Sequence, residues 1–163
     1  MWGVLAVNRI EKVRTVIDEI LLNMTDSEER RCAYLHLYGV AQACALLALK
    51  RGENVELAIA AGMLHDIYSY AKMDSRNHAH EGAEMARDIL KSLQLFDESE
   101  ENMICAAIAH HSDKSERHGS LDEILKDADV MQHVLYNPLL EVKQTEQKRF
   151  DDMKSEFDLG NLI

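Results

Sequence analysis

Residues that break helices are scarce: among 163 residues there is one proline, Pro138, and seven glycines. Proline removes a helical hydrogen bond and glycine adds backbone entropy to be lost. Their rarity, beside plentiful Ala, Leu, Glu, Lys and Met, argues against a strand-and-turn protein and for an all-α one. Cysteine is also sparse. Cys32, Cys44 and Cys105 show no CxxC pairing, so neither a disulfide framework nor a cysteine zinc site is suggested, and a cytoplasmic location fits. Basic charge is short as well: 18 Lys and Arg stand against 29 Asp and Glu, leaving −11. Such a surface repels nucleic-acid phosphates and anionic membranes, so neither nonspecific nucleic-acid binding nor membrane association is expected. No run approaches the roughly 20 apolar residues of a membrane span. The opening Met-Trp-Gly-Val-Leu-Ala-Val-Asn-Arg has no basic segment ahead of its short apolar stretch, which reads against an export signal.

Hydrophobic residues make up 47% and charged residues 29%, the balance of a globular chain, and the length suits one domain spanning 1–163. Apolar positions recur at helical spacing. Ile10, Val13, Ile17, Ile20 and Leu21 mark a first helix, and Thr25-Asp26-Ser27 offers caps for a second, from about Glu28 to Arg51 with Gly52 as its stop. A third runs from about Asn54 to His65-Asp66 and is apolar on nearly every side. Residues 68–77 are polar and mixed. A fourth helix begins near His80, a fifth spans about Glu100 to His111, and Ser120-Leu-Asp-Glu123 matches a capping box opening a sixth through Asp129. Residues 139–157 read as a packed or partly frayed last helix, giving six or seven in all.

A His-Asp pair by itself carries little information. Here, however, His65-Asp66 closes an apolar helix, His36 lies 29 residues earlier on an apolar helical stripe, and Asp129 follows 63 residues later in Lys126-Asp-Ala-Asp. Neutral imidazoles with carboxylate oxygens suit iron, manganese, zinc or nickel, and a buried carboxylate without a cation is costly. On one helical turn, His65 and Asp66 would project about 100° apart and could serve one site from two directions.

With these residues the chain resembles the HD-domain superfamily, whose members carry a His, a His-Asp pair and a distant Asp on a compact helical bundle. Leu35-His-Leu-Tyr-Gly-Val-Ala is similar to the first motif, Ala60-Ala-Gly-Met-Leu-His-Asp-Ile to the second and Lys126-Asp-Ala-Asp to the last, over roughly residues 30–135. The resemblance implies metal ligation by His36, His65, Asp66 and Asp129. A subgroup similar to symmetrical dinucleoside tetraphosphate hydrolases adds two histidines for a second metal, and His80 and His111 fit those places. Helical periodicity does not choose between His110 and His111; only the family spacing favours His111. His78, His118 and His133 receive no ligand role, and Asp127 is compatible with a solvated helix position. Lys72, Arg76, Lys114 and Arg117 lie in expected loops after the motif helices; Lys72 and Lys114 are the substrate-phosphate candidates.

The activity so implied is phosphate-ester hydrolysis by metal-activated water, with one or two ions of Fe, Mn, Zn, Ni or Mg, Asp66 as the catalytic bridge, and a nucleotide or dinucleoside polyphosphate as substrate. Two departures stay open. One is a di-iron oxygenase of the same superfamily, and the other a noncatalytic metal-binding module that senses a nucleotide. A homodimer is compatible with each.

Overall fold

The computed structural model describes residues 7–160, so the opening segment read for a leader, apart from residues 7–9, lies outside the described residues. Eight helices and no strand occur among them: α1 (Arg9–Leu22), α2 (Ser27–Arg51), α3 (Val55–Leu64), α4 (Ile67–Lys72), α5 (His78–Leu93), α6 (Glu98–His110), α7 (Ser120–Tyr136) and α8 (Gln144–Glu156). The fold is all-helical, as composition implied. The helix beyond the expected six or seven is α4, one short stretch inside the segment that looked merely polar.

Side-chain caps set the helix starts. Asn8, Asp26 and Asn54 accept amides at the openings of α1, α2 and α3, and Gly52 closes α2 at φ 72°, a left-handed conformation that suits a residue without Cβ. One capping expectation changes. Ser120 is the first residue of α7, with Gly119 ahead of it and no side-chain cap, so the expected box does not form. Instead Glu123 Oε1 accepts the His118 amide at 3.1 Å. The capping box belongs to α6, where Asp97 and Glu100 serve each other's amides, and that helix starts at Glu98.

The core lies where α3 is wedged between α2, α6 and α7, around Leu37, Leu47, Leu57, Leu64, Ile104, Ile108, Ile124 and Leu125, all nearly or fully buried. By length and composition α2 could cross a membrane, contrary to the expectation that no stretch approaches a span; here it packs on α3 and α7 and carries His36. It approaches α3 tightly at Gly62, where a Cβ would stand 2.7 Å from Ala41 Cα and 3.1 Å from Cys44 Sγ. Backbone cannot yield as a flexible side chain can. Gly62→Ala is therefore expected to cost about 1–3 kcal/mol by pushing two core helices apart, read as a lower urea midpoint; a wild-type midpoint would contradict the close packing.

Candidate metal centre

His36 projects from the middle of α2, largely but not fully covered, and meets α7 at Gln132. His65 caps the end of α3, and Asp66 leaves the helix at φ −113°, ψ 13° before α4 restarts at Ile67. The His-Asp pair thus sits at a break between two helices, and the chain bend, instead of a single helical turn, sets its two directions. Asp129 arrives from α7, and His111 follows the last residue of α6. Three faces of the core meet at one end.

There the donors converge. His36 Nε2 is 3.0 Å from His65 Nε2, 3.3 Å from Asp66 Oδ2 and 3.7 Å from Asp129 Oδ1. His65 Nε2 is 3.6 Å from the same Asp66 oxygen. On the other side of that carboxylate, Asp66 Oδ1 lies 3.3 Å from His111 Nε2 and 3.6 Å from His78 Nε2. Asp66 therefore faces two histidine pairs, one with each oxygen. His133 Nε2 adds a further donor 3.4 Å from Asp129 Oδ1.

The outward nitrogens of four rings are spoken for. His65 Nδ1 donates to Gly62 O (2.8 Å), His111 Nδ1 to Ile108 O (2.7 Å), His78 Nδ1 to Ser75 O (2.9 Å) and His36 Nδ1 to Gln132 Oε1 (3.0 Å). A neutral imidazole that donates from Nδ1 presents a lone pair at Nε2. Lone pairs and carboxylate oxygens then point at one another, an arrangement that repels unless a cation lies among them. Asp66 Oδ1 and Asp129 Oδ1 are buried without a hydrogen-bond partner, and donor separations of 3.0–3.7 Å suit an ion with bonds of about 2.0–2.3 Å. The donor set fits a metal on these grounds.

Protonation follows the same geometry. Burial pushes His65 down to about 4, with His36 and His111 adding to it against the pull of Asp66. Burial would raise Asp66, but His65, His111 and His36 outweigh it and hold the carboxyl far below its usual range. For Asp129 burial is likewise outweighed, by Lys114 first and then by His65. Burial lowers His36, yet Asp66 and Asp129 reverse the sign and raise it. In metal-free protein, a histidine at about 4 when folded and 6.5 when unfolded binds fewer protons in the native state. Its contribution is present above pH 6.5 and lost as pH falls through about 4. Chelated protein should accordingly lose on the order of 3 kcal/mol across that window, with His36 opposing; denaturant midpoints that stay level between those pH values would contradict a buried neutral His65.

Not every residue singled out from the sequence reaches the centre. His36, His65, Asp66, Asp129 and His111 do. His80 does not: its side chain is 68% exposed and its nearest carboxylate is Glu81. The physical reason is helix phase, since α5 begins at His78, and residues two apart point about 200° away from each other. His78 stands where His80 was expected, and His133, also passed over, comes in one turn beyond Asp129. His110 turns away, with Nδ1 2.5 Å from Asp122 Oδ1 and its ring stacked on His118. Asp127 is buried between Arg51 and Arg149, at 2.8 Å from each, and is no solvated residue. Among the cations, Lys72 is exposed at the end of α4 and Arg76 pairs with Asp74. Lys114 alone of the four enters the centre, its Nζ 2.5 Å from Asp129 Oδ2.

Fold and site together define a helical protein built around a His and Asp cluster, and comparison with known proteins places it. The family model described as HD domain matches residues 33–133. The chain belongs to the HD domain family. Its relatives include Ribonuclease Y of Pelobacter propionicus, 30% identical over 122 residues, and Ribonuclease Y of Geotalea uraniireducens, 32% identical over 122 residues. Each alignment covers 74% of this chain but 22% of the relative, so the chain spans about a fifth of the length of the proteins it matches. The crystal structure of a predicted HD superfamily hydrolase from an uncultured Thermotogales bacterium superposes with a TM-score of 0.60 at 21% identity, covering 93% of this chain and 90% of that one. That likeness supports the shared fold.

Proposed function

We propose that this chain is a metal-dependent phosphohydrolase acting on a nucleotide or dinucleoside polyphosphate, with His36, His65, Asp66 and Asp129 holding one ion and Asp66, His78 and His111 a second. The observation that carries this reading is Asp66, whose Oδ1 is buried without a hydrogen-bond partner and whose two oxygens each face a pair of histidine Nε2 atoms. Bound ions would supply Lewis acidity toward phosphoryl oxygens and lower the pKa of a water. The chain's own groups do the remainder. Backbone carbonyls and Gln132 fix each ring and its tautomer, so the Nε2 atoms need not reorganise. The Lys114 ammonium, paired with Asp129 Oδ2 at 2.5 Å, offsets part of the negative charge gathered at the centre and holds that carboxylate in place.

A small substrate is favoured by the recess over the centre. About 300 Å³ in volume, it is lined by Cys32, Leu35, Tyr70, Gln132 and Tyr136 with His36, Asp66 and His133 beneath. That is the lower end of ordinary small-molecule pockets, with apolar and aromatic walls suited to a base or sugar. A larger cavity of about 930 Å³ lies by α8, where Arg51, Lys148 and Arg149 are paired with Glu123, Asp127, Asp152 and Glu156, which neutralises most of its positive charge. The name Ribonuclease Y borne by the relatives supports a second substrate class, RNA phosphodiesters. The −11 charge weighs against it.

The test is a phosphate-release screen over mononucleotides and dinucleoside polyphosphates, beside cleavage of end-labelled RNA, with protein supplied separately with Mn, Fe, Zn, Ni and Mg. Nucleotide turnover that disappears on chelation and returns with metal is expected. RNA cleavage alone would favour the second reading; turnover that requires oxygen, or tight nucleotide binding without turnover, would overturn hydrolysis.

A further inference from the structure

Residues 111–119 join α6 to α7 and carry Lys114, yet their own backbone bonds tie down only their beginning. Asp113 N donates to His110 O at 3.0 Å and Lys114 N to Ser112 O at 3.1 Å. The rest of the anchoring comes from elsewhere. Arg149, on α8, donates from Nε to Lys114 O at 2.8 Å and from Nη2 to Glu116 O at 3.2 Å. Its Nη1 donates to Glu123 Oε2 at 2.9 Å and Asp127 Oδ1 at 2.8 Å, both on α7. One rigid planar fork thus fixes the loop against the helix that supplies Asp129. The fully buried Lys126 donates to the same Glu116 carbonyl at 2.8 Å.

We propose that Arg149 is a positioning residue that sets where the Lys114 ammonium stands, making α8, which lies beyond the 33–133 match, a working part of the metal centre. Lys114 is held at both ends: its carbonyl by Arg149, its ammonium by Asp129 Oδ2 at 2.5 Å. Releasing the first end frees the stem that aims the second. α8 is seated for this task, with Phe150 and Met153 buried and Glu156 paired to Arg51, which also holds the other oxygen of Asp127. Glu146 of the same helix is buried 3.7 Å from His133 Nδ1, so α8 stands behind two groups of the centre. The effect on turnover rests on the phosphohydrolase reading; the placement of Lys114 does not.

The experiment uses the full chain with Arg149→Met and Arg149→Lys, each alone and combined with Lys114→Ala. It has two readouts. Acetylation of Lys114 by an N-hydroxysuccinimide ester, followed by peptide mass spectrometry against the exposed Lys148 as internal standard, should quicken several-fold in both Arg149 variants. Phosphate release should fall about 10- to 100-fold, the scale of a misplaced group near the chemistry, and this loss should vanish when Lys114 is already Ala. Arg149→Lys keeps a cation against Glu123 and Asp127 but has a single head that cannot serve both carbonyls, so it decides the matter if Arg149→Met fails to fold. Unchanged Lys114 acetylation in folded variants, or an undiminished loss on the Lys114→Ala background, would overturn the proposal. A wild type that releases no phosphate from any substrate would sink the phosphohydrolase reading, and the acetylation comparison would still decide the role of Arg149.

Discussion

Asp66→Ala should abolish phosphate release while leaving the helical fold in place. Residues that merely support a metal ligand cost about 10- to 100-fold when removed, and Asp66 is the one carboxylate facing both histidine pairs, so its loss should exceed that range. Metal affinity should fall with it, because the Nε2 atoms of His36, His65, His78 and His111 would be left with Asp129 as the one carboxylate beside them, on the His36 side. Circular dichroism checks the fold and metal analysis the affinity. Asp127→Ala is an unsuitable control, since that carboxylate is buried between two guanidiniums. Removing it leaves charges unpaired and destabilises the protein for reasons unrelated to the metal. Asp88, exposed on α5, is the better comparison. Full activity in metal-replete Asp66→Ala protein would mean the chemistry lies elsewhere.

The second large effect separates two neighbours on one helix. His78→Ala and His111→Ala should each lower turnover and the occupancy of one ion by about 10-fold or more, whereas His80→Ala should match wild type in both. Side-by-side kinetics and metal content of the three variants measure this. A silent His78→Ala with a damaged His80→Ala would return the assignment to the residue the motif spacing favoured.

That contrast shows what was legible beforehand. His36, His65 and Asp66 could be singled out because they stand on or at the end of apolar helical stretches, and it was the resemblance to the HD-domain motifs that joined Asp129, in Lys126-Asp-Ala-Asp, to them. His78 was also within reach. It lies four and eight residues before the buried Gly82 and Ala86, on the stripe continued by Ile89 and Leu90, while His80 shares its face with the exposed Glu84 and Asp88. Placing the start of α5 at His80 hid this. His133 carried a similar signal, one turn beyond Asp129. Between His110 and His111 periodicity made no choice; the structure does, since His111 continues the buried Ile104, Ala107 and Ile108 whereas His110 aligns with the exposed Met103.

Other features had no local signature. The break at Asp66 depends on backbone angles that an apolar helix followed by Ile67 does not advertise. The partners of Asp127 are 76 residues before it and 22 after it. Lys114 looked like any loop lysine, and what singles it out is an ion pair across 15 residues and a carbonyl contact from a helix 35 residues away. Long-range polar pairing is set by the packed fold, and single-sequence periodicity reports only which face is buried.

Anomalous diffraction from crystals of metal-loaded protein, recorded on both sides of the metal absorption edge, tests the central claim most directly. The expected map has a peak among His36, His65, Asp66 and Asp129, with any second peak on the far side of Asp66 toward His78 and His111. Peaks confined to the separate His110, His118 and Asp122 group, or none touching Asp66 in fully loaded protein, would contradict it.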